Sequence, residues 1–186
     1  MSTLSIVHVL LGLVAVSIGS VILALRKGDS RHRVLGWLYL GCILTSLTAI
    51  MARGLSHPTP FHGYAAVIMG VLMAAVLASR FRSHVPDWRS WHAALMSFSM
   101  LGAAVAIGGV VGGLALRVGK GPAYYRMFNL VIVCFTALGL SIINTRPVIW
   151  GPLVAARRRR LRFWFSAFVV TISIALVAAQ LAFLSQ

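Results

Sequence analysis

Four of the six histidines in this chain stand at or just inside the starts of long hydrophobic segments, namely His8, His32, His62 and His92. An ionisable side chain inside a membrane helix is costly without a partner, so its presence there indicates a functional site. Neutral imidazole is a usual axial ligand of haem iron, and it also binds zinc and copper. The matched positions of these histidines therefore point to metal or cofactor chemistry.

Composition places the hydrophobic segments in a bilayer. The chain has 186 residues, of which 60% are hydrophobic and 10% are charged, whereas a soluble domain carries about a quarter charged residues. A helix needs about 20 mostly apolar residues to cross a bilayer. Six segments meet that requirement, approximately 4–25, 34–52, 61–78, 91–116, 125–143 and 163–184. The sequence thus predicts an all-α polytopic membrane protein with six transmembrane helices, and the short connections leave no room for a soluble catalytic domain.

The first four segments have the pattern of a duplicated helix pair. His8 begins the run His-Val-Leu-Leu-Gly, and His32 begins the run His-Arg-Val-Leu-Gly. The third and fourth segments also have a histidine at the start, whereas the last two contain none. We therefore predict that residues 1–116 form a four-helix core bearing the histidines, and that residues 117–186 form an appended transmembrane hairpin.

The charge distribution predicts the topology. The chain has 17 Lys and Arg against two Asp and Glu, a net charge of +15. A nucleic-acid partner is not expected, because the basic residues lie at the ends of apolar segments. Thirteen of the 17 fall in the first, third and fifth loops, so the positive-inside rule places these loops in the cytoplasm and both termini outside. The run Arg157–Arg160 is then a topology signal in contact with anionic lipid.

This topology sorts the histidines into two pairs. His8 and His62 would lie near the outer face, and His32 and His92 near the inner face. Two histidines that face each other across a four-helix bundle can hold one b-type haem between them. Two such pairs would hold two haems and provide a path for electrons across the bilayer.

Residues around the histidines are consistent with haem. Gly12 and Gly36 each follow a histidine by four residues, on the same helix face, where a flat macrocycle requires a small side chain. Arginine pairs well with carboxylates, and three arginines flank the inner pair, where haem propionates would emerge: Arg31, Arg33 and Arg89.

Other interpretations of the histidines remain open. Each could be an interface anchor with a hydrated ring, and His57 could replace His62 as the outer ligand. Zinc and copper also bind histidine, but such sites usually add a cysteine or a carboxylate. No acidic residue lies within a segment, which disfavours an ion-coupled transporter. The absence of a Cys-x-x-Cys-His motif excludes covalently attached haem, and we expect Cys42 and Cys134 to be packing residues.

Three short motifs carry a family resemblance over roughly residues 5–110. They are His8-x-x-x-Gly12, His32-Arg33-x-x-Gly36-Trp37-x-Tyr39, and Trp91-His92. Together they resemble a family of uncharacterised bacterial multi-pass membrane proteins. In arrangement that family is similar to the di-haem four-helix cytochrome b superfamily, which includes transmembrane ferrireductases and hydrogenase cytochrome subunits. The resemblance implies two b haems ligated by His8, His32, His62 and His92.

The function expected from these features is a b-type di-haem electron carrier or oxidoreductase in a bacterial inner (plasma) membrane. Besides the lipid bilayer, its expected partners are other membrane-protein subunits or a quinone or small redox donor. The alternative is a cofactor-free membrane subunit that scaffolds a larger respiratory or photosynthetic complex.

The predicted topology can be tested by reporter fusions after Gln186. We expect an alkaline phosphatase fused there to be active and a cytoplasmic reporter to be inactive, because the basic loops retain the opposite ends of the helices inside. The reverse pair of results would invert the assignment. A fusion in the first basic loop, after Gly28, provides the internal control and should give the opposite pattern.

Overall fold

The computed structural model describes residues 3–25, 29–55, 59–115, 122–145 and 155–184, and these form six α-helices without any strand. In chain order the helices are α1 (Thr3–Ala24), α2 (Ser30–Gly54), α3 (Pro60–Arg80), α4 (Trp88–Ala115), α5 (Pro122–Thr145) and α6 (Ala155–Leu184). The predicted all-α class is confirmed, and each predicted hydrophobic segment falls largely or wholly within one helix.

Within the described ranges, five helices contain stretches long and apolar enough to cross a membrane. These are Thr3–Leu23, Ser30–Gly54, Phe61–Arg80, Trp88–Ile107 and Phe128–Thr145. Large apolar side chains lie exposed along them, including Leu10, Val34 and Leu130, which are 58%, 60% and 64% exposed. Such extensive apolar surface is typical of a protein surrounded by lipid. The sixth predicted span, 163–184, lies in α6 and stays a prediction.

The starts of three helices have clear local causes. Asp29 precedes α2 as its N-cap, and its side chain accepts a hydrogen bond of 2.6 Å from the backbone N–H of His32. A carboxylate at this position satisfies an otherwise unpaired N–H group and interacts favourably with the helix dipole. Helices α3 and α5 begin with Pro60 and Pro122, and proline suits the first helical position because it lacks the N–H that would be unpaired there.

The chain divides into two compact units, Met1–Met69 and Gly70–Gln186. In the first unit α1 packs along α2. Tyr39 and Ile43 are 1% and 3% exposed on α2, and Ala15 on α1 is fully buried. The predicted domain boundary at residue 116 lies outside the described residues, and it stays a prediction.

Phe165 packs α6 against α4 in the second unit. Its ring is fully buried and makes edge contacts with Trp91 and Phe98 of α4, both with ring centroids 6.5 Å apart. One turn along α6, Val169 is also fully buried. The aromatic edge contacts add to the packing, so Phe165 holds α6 against α4.

Asp87 joins the turn before α4 to the start of α6. Its carboxylate forms an ion pair with the guanidinium of Arg157, and its carbonyl accepts a 2.9 Å hydrogen bond from the N–H of Ser90. The backbone of Asp87 has φ 57°, a left-handed conformation that aspartate adopts more readily than most residues. The left-handed backbone of Asp87 and its ion pair with Arg157 therefore occur together at this turn.

The role of Phe165 predicts a large effect of truncation. Phe165→Ala should destabilise the protein by about 3 kcal/mol, because it removes a fully buried ring and leaves a cavity. Phe168→Ala is the matched control on the same helix, since Phe168 is 44% exposed. The measurement is thermal unfolding of each purified variant in the same detergent. Equal shifts for the two variants would contradict the packing role.

Candidate functional site

His8 is held on α1 by the backbone and side chain of Ser46 on α2. Its Nδ1 lies 3.0 Å from the carbonyl oxygen of Ser46 and 3.0 Å from the hydroxyl oxygen. The hydroxyl in turn donates a 2.8 Å hydrogen bond to the backbone carbonyl of His8. Because a carbonyl can only accept, Nδ1 carries the proton in this arrangement. In the neutral form of the ring, a proton on Nδ1 leaves the lone pair on Nε2.

His92 has the same kind of partner. Its Nδ1, on α4, lies 2.9 Å from the carbonyl oxygen of Ala75 on α3, and Ala75 is fully buried. Here too Nδ1–H donates to a carbonyl, which in the neutral form of the ring leaves the lone pair on Nε2. Metal-binding histidines usually donate their other ring N–H to a carbonyl or a carboxylate, which fixes the tautomer and the ring orientation. His8 and His92 both have that arrangement.

His62 is built into the first turn of α3. Its Nδ1 lies 2.8 Å from the N–H nitrogen of Thr59 and 2.9 Å from the carbonyl oxygen of Thr59. When Nδ1 accepts from the N–H group, as in a capping box, the proton is on Nε2. When it donates to the carbonyl, the lone pair is on Nε2. Nε2 itself is buried and has no hydrogen-bond partner in the described part of the chain.

The ring of His62 also lies flat against the end of α2. A Cβ atom at Gly54 would come within 2.7 Å of Cγ and Nε2 of His62, and closer still to Cδ2. Only a glycine permits this approach, since real Cβ contacts are essentially never that short. Gly54 is thus a residue that positions His62.

His32 lies in the first turn of α2. The residue is half-buried, and its backbone N–H donates a hydrogen bond to the carboxylate of Asp29. The flanking Arg31 and Arg33 are exposed. Arg31 borders an open groove of about 500 Å³ between the end of α1 and the start of α2. The groove is otherwise lined by Val21, Leu25, Ser30, Val34 and Leu35, so it is almost wholly apolar.

The structure does not bring His8 and His62 close together along α2. They contact that helix at Ser46 and Gly54, positions that lie about 12 Å apart along the helix axis at 1.5 Å per residue. A metal ion bound by two imidazoles lies about 2 Å from each nitrogen, a much shorter distance than the one between these two contact points. His32 belongs to the first compact unit and His92 to the second. The ligand set of four histidines stays a prediction.

The two glycines expected beside a macrocycle differ in their surroundings. A Cβ at Gly12 would lie 3.4 Å from the hydroxyl oxygen of Ser46, so the space beside Gly12 is occupied by α2. A Cβ at Gly36 would meet nothing within 4 Å. Gly12 therefore serves the close packing of α1 on α2, whereas the face at Gly36 is open.

The polar contacts between α1 and α2 were not predicted from the sequence. Besides the bonds between His8 and Ser46, the guanidinium of Arg53 donates to the hydroxyl of Ser5. A sequence signal for these contacts does exist. Ser5 lies three residues before His8, and Ser46 lies seven before Arg53, so each pair shares one helix face. No sequence signal distinguishes Gly54 from the other glycines.

The remaining candidate residues have less specific surroundings. Arg89 is exposed, and its guanidinium carbon lies 5.6 Å from the ring centroid of Trp88, a cation–π distance. His84 is exposed with Nδ1 3.0 Å from the hydroxyl of Ser83, and His57 lies outside the described residues. Cys42 and Cys134 are free thiols. No group of three or more His, Cys, Asp or Glu side chains arranged to hold a metal ion occurs within the described ranges.

Comparison with known proteins identifies no relative: no protein-family model, curated protein or solved structure matches this chain. The resemblance to the multi-pass membrane family and to the di-haem cytochromes therefore stays a prediction that depends on the short motifs alone.

The contact between Gly54 and His62 can be tested by substitution. Gly54→Ala should lower the melting temperature, because its methyl group would overlap the imidazole. Gly41→Ala on the same helix meets nothing within 4 Å and should be neutral or slightly stabilising, since alanine favours a helix by about 1 kcal/mol over glycine. The double variant Gly54→Ala/His62→Ala should recover the lost stability. A Gly54→Ala variant as stable as Gly41→Ala would show that the close approach does not exist.

Proposed function

We propose that this protein is an integral-membrane b-type electron carrier of a bacterial inner membrane, with histidine side chains as axial ligands of two haems. The observation that carries the proposal is the shared arrangement of His8 and His92. In each, Nδ1 lies within hydrogen-bond distance of a backbone carbonyl of a neighbouring helix. A neutral ring that donates from Nδ1 has its lone pair on Nε2, which is the form that haem iron requires.

The histidine nitrogens of the chain are of the kind that haem iron takes as axial ligands. Bound haem would supply one-electron chemistry at its iron. Helices α1, α2, α3 and α4 each contribute one histidine. The buried Nε2 of His62 has no hydrogen-bond partner among the described residues, and it has a lone pair for iron when the ring proton is on Nδ1. The open face at Gly36 leaves room beside α2.

The exposed arginines would bind and orient the carboxylates of the proposed inner haem. Arg31 and Arg33 flank His32, and Arg89 precedes His92 by one turn. Guanidinium groups bind carboxylates through two parallel hydrogen bonds. An electron donor that reaches such a site, a quinone or a partner subunit, would approach from the bilayer or its surface, since the connections between the helices are short.

A second candidate function is a cofactor-free membrane subunit within a larger assembly. The spacing of His8 and His62 along α2 favours it, because the two rings would have to approach each other before they could bind one iron. In this alternative His8 locks α1 to α2 through Ser46. The exposed apolar helix faces would then contact other subunits as well as lipid.

Haem content distinguishes the two functions. We expect two haems per wild-type protein by pyridine haemochrome analysis after haem-sufficient expression, and about one in His8→Ala and in His92→Ala, because a haem that loses an axial ligand loses affinity. His84→Ala is the matched control, since His84 is exposed and forms its bond within the loop, and it should retain both haems. Colourless wild-type protein that is folded and monodisperse would reject the electron carrier and leave the scaffold.

A further inference from the structure

One end of the second unit carries a concentration of exposed arginines. Helix α3 ends at Arg80 and α4 begins at Trp88, so the connection between them is short. Backbone hydrogen bonds hold the connection, including one of 2.9 Å from the N–H of His84 to the carbonyl of Phe81. Three arginines of this stretch are exposed: Arg80, Arg82 and Arg89.

The start of α6 lies beside this connection because Arg157 forms its ion pair with Asp87. Arg159 and Arg160 follow within one turn and are exposed. They therefore belong to the same end of the second unit as the arginines around the turn. We call this set the basic end, and it consists of Arg80, Arg82, Arg89, Arg159 and Arg160.

The chain cannot neutralise the basic end with its own acidic side chains. The sequence contains two of them, Asp29 and Asp87. Asp29 caps α2 in the first unit, and Asp87 is already paired with Arg157. Five exposed guanidinium groups close together repel one another at low salt, so a surface of this kind is matched by negative charge from outside the chain.

Exposed aromatic rings next to the arginines indicate what supplies that charge. Phe163 and Trp164 are 65% and 60% exposed, and they follow Arg159 and Arg160 by four residues, one helical turn. Their rings contact each other edge to face with centroids 5.7 Å apart. Tryptophan is enriched where a bilayer meets water. At the surface of a bilayer, arginines would contact the lipid phosphates. Aromatic rings one helical turn further along would reach the boundary with the acyl chains.

We propose that the basic end binds the headgroups of anionic phospholipids. Its guanidinium groups contact lipid phosphates, while Phe163 and Trp164 lie at the boundary between headgroups and acyl chains. A soluble acidic protein or a nucleic acid would match the arginines but would leave the two exposed rings without an apolar environment. This surface is independent of any haem and does not require the proposed electron transfer.

Tryptophan quenching by brominated lipids tests the proposal on the intact protein. The protein is reconstituted in phosphatidylcholine vesicles that contain the same mole fraction of either brominated phosphatidylglycerol or brominated phosphatidylcholine. Two of the five tryptophans, Trp88 and Trp164, lie at the basic end, so the difference in quenching between the wild type and variants at that end reports the lipids around it. We expect stronger quenching by phosphatidylglycerol, and we expect Arg159→Gln/Arg160→Gln to lower its relative association constant by at least about fivefold, the factor for one arginine near an anionic surface.

The matched control is Arg159→Lys/Arg160→Lys, which keeps the charge and should keep the preference for phosphatidylglycerol. Wild-type protein in about 1 M salt should lose the preference without any substitution, because charges are then screened beyond about 3 Å. This measurement tests the proposal even if a variant fails to fold. Equal quenching by the two lipids, a preference that survives 1 M salt, or a Lys variant as impaired as the Gln variant would overturn the proposal.

The other classes of partner are outcomes of the same experiment. An RNA oligonucleotide and a poly-glutamate peptide are added to vesicles of pure phosphatidylcholine that contain the protein. Tight binding of either one by a protein that shows no preference for phosphatidylglycerol would assign the basic end to that class and overturn the lipid proposal.

Discussion

Within a bilayer no water is present to hydrogen-bond a polar group, so each polar side chain must find its partner inside the protein. The contacts between α1 and α2 follow from this constraint. His8 and Ser46 bond each other through both side chains and both backbones, and Arg53 bonds Ser5. These pairs fix how α1 lies along α2, because a slip of one residue would leave several polar groups unpaired in an apolar environment.

Polar side chains on the other helices also have partners inside the protein. His92 bonds the carbonyl of Ala75, and the amide of Asn144 donates 2.9 Å to the hydroxyl of Ser166. Apolar contacts provide the rest of the packing, as at Phe165. Close approach also requires small residues, as it does between membrane helices in general. Gly54 against His62 and Gly139 against Leu101 are such contacts.

The helices could be predicted from the sequence because long apolar segments and the prolines between them mark helix boundaries independently of tertiary structure. The partners of the histidines could not be predicted. Whether His62 faces a ligand or Gly54 depends on the rotation of α3 relative to α2, and apolar periodicity is weak when lipid surrounds the bundle. The sequence shows that His8 lies further into its segment than His62. It does not show how one helix is placed along another, and therefore not that the two residues contact α2 about two turns apart.

Asp87 combines two properties that few residues share. Its backbone is left-handed, and its carboxylate holds the start of α6 through Arg157. Asparagine tolerates the same backbone but has no charge, glutamate keeps the charge but adapts poorly to φ 57°, and glycine adopts the backbone but has no side chain. This turn is therefore a position where substitution is restricted by geometry and charge together. A chain with a different residue here would keep the contacts of Phe165 between α4 and α6 but would lose the link at the start of α6.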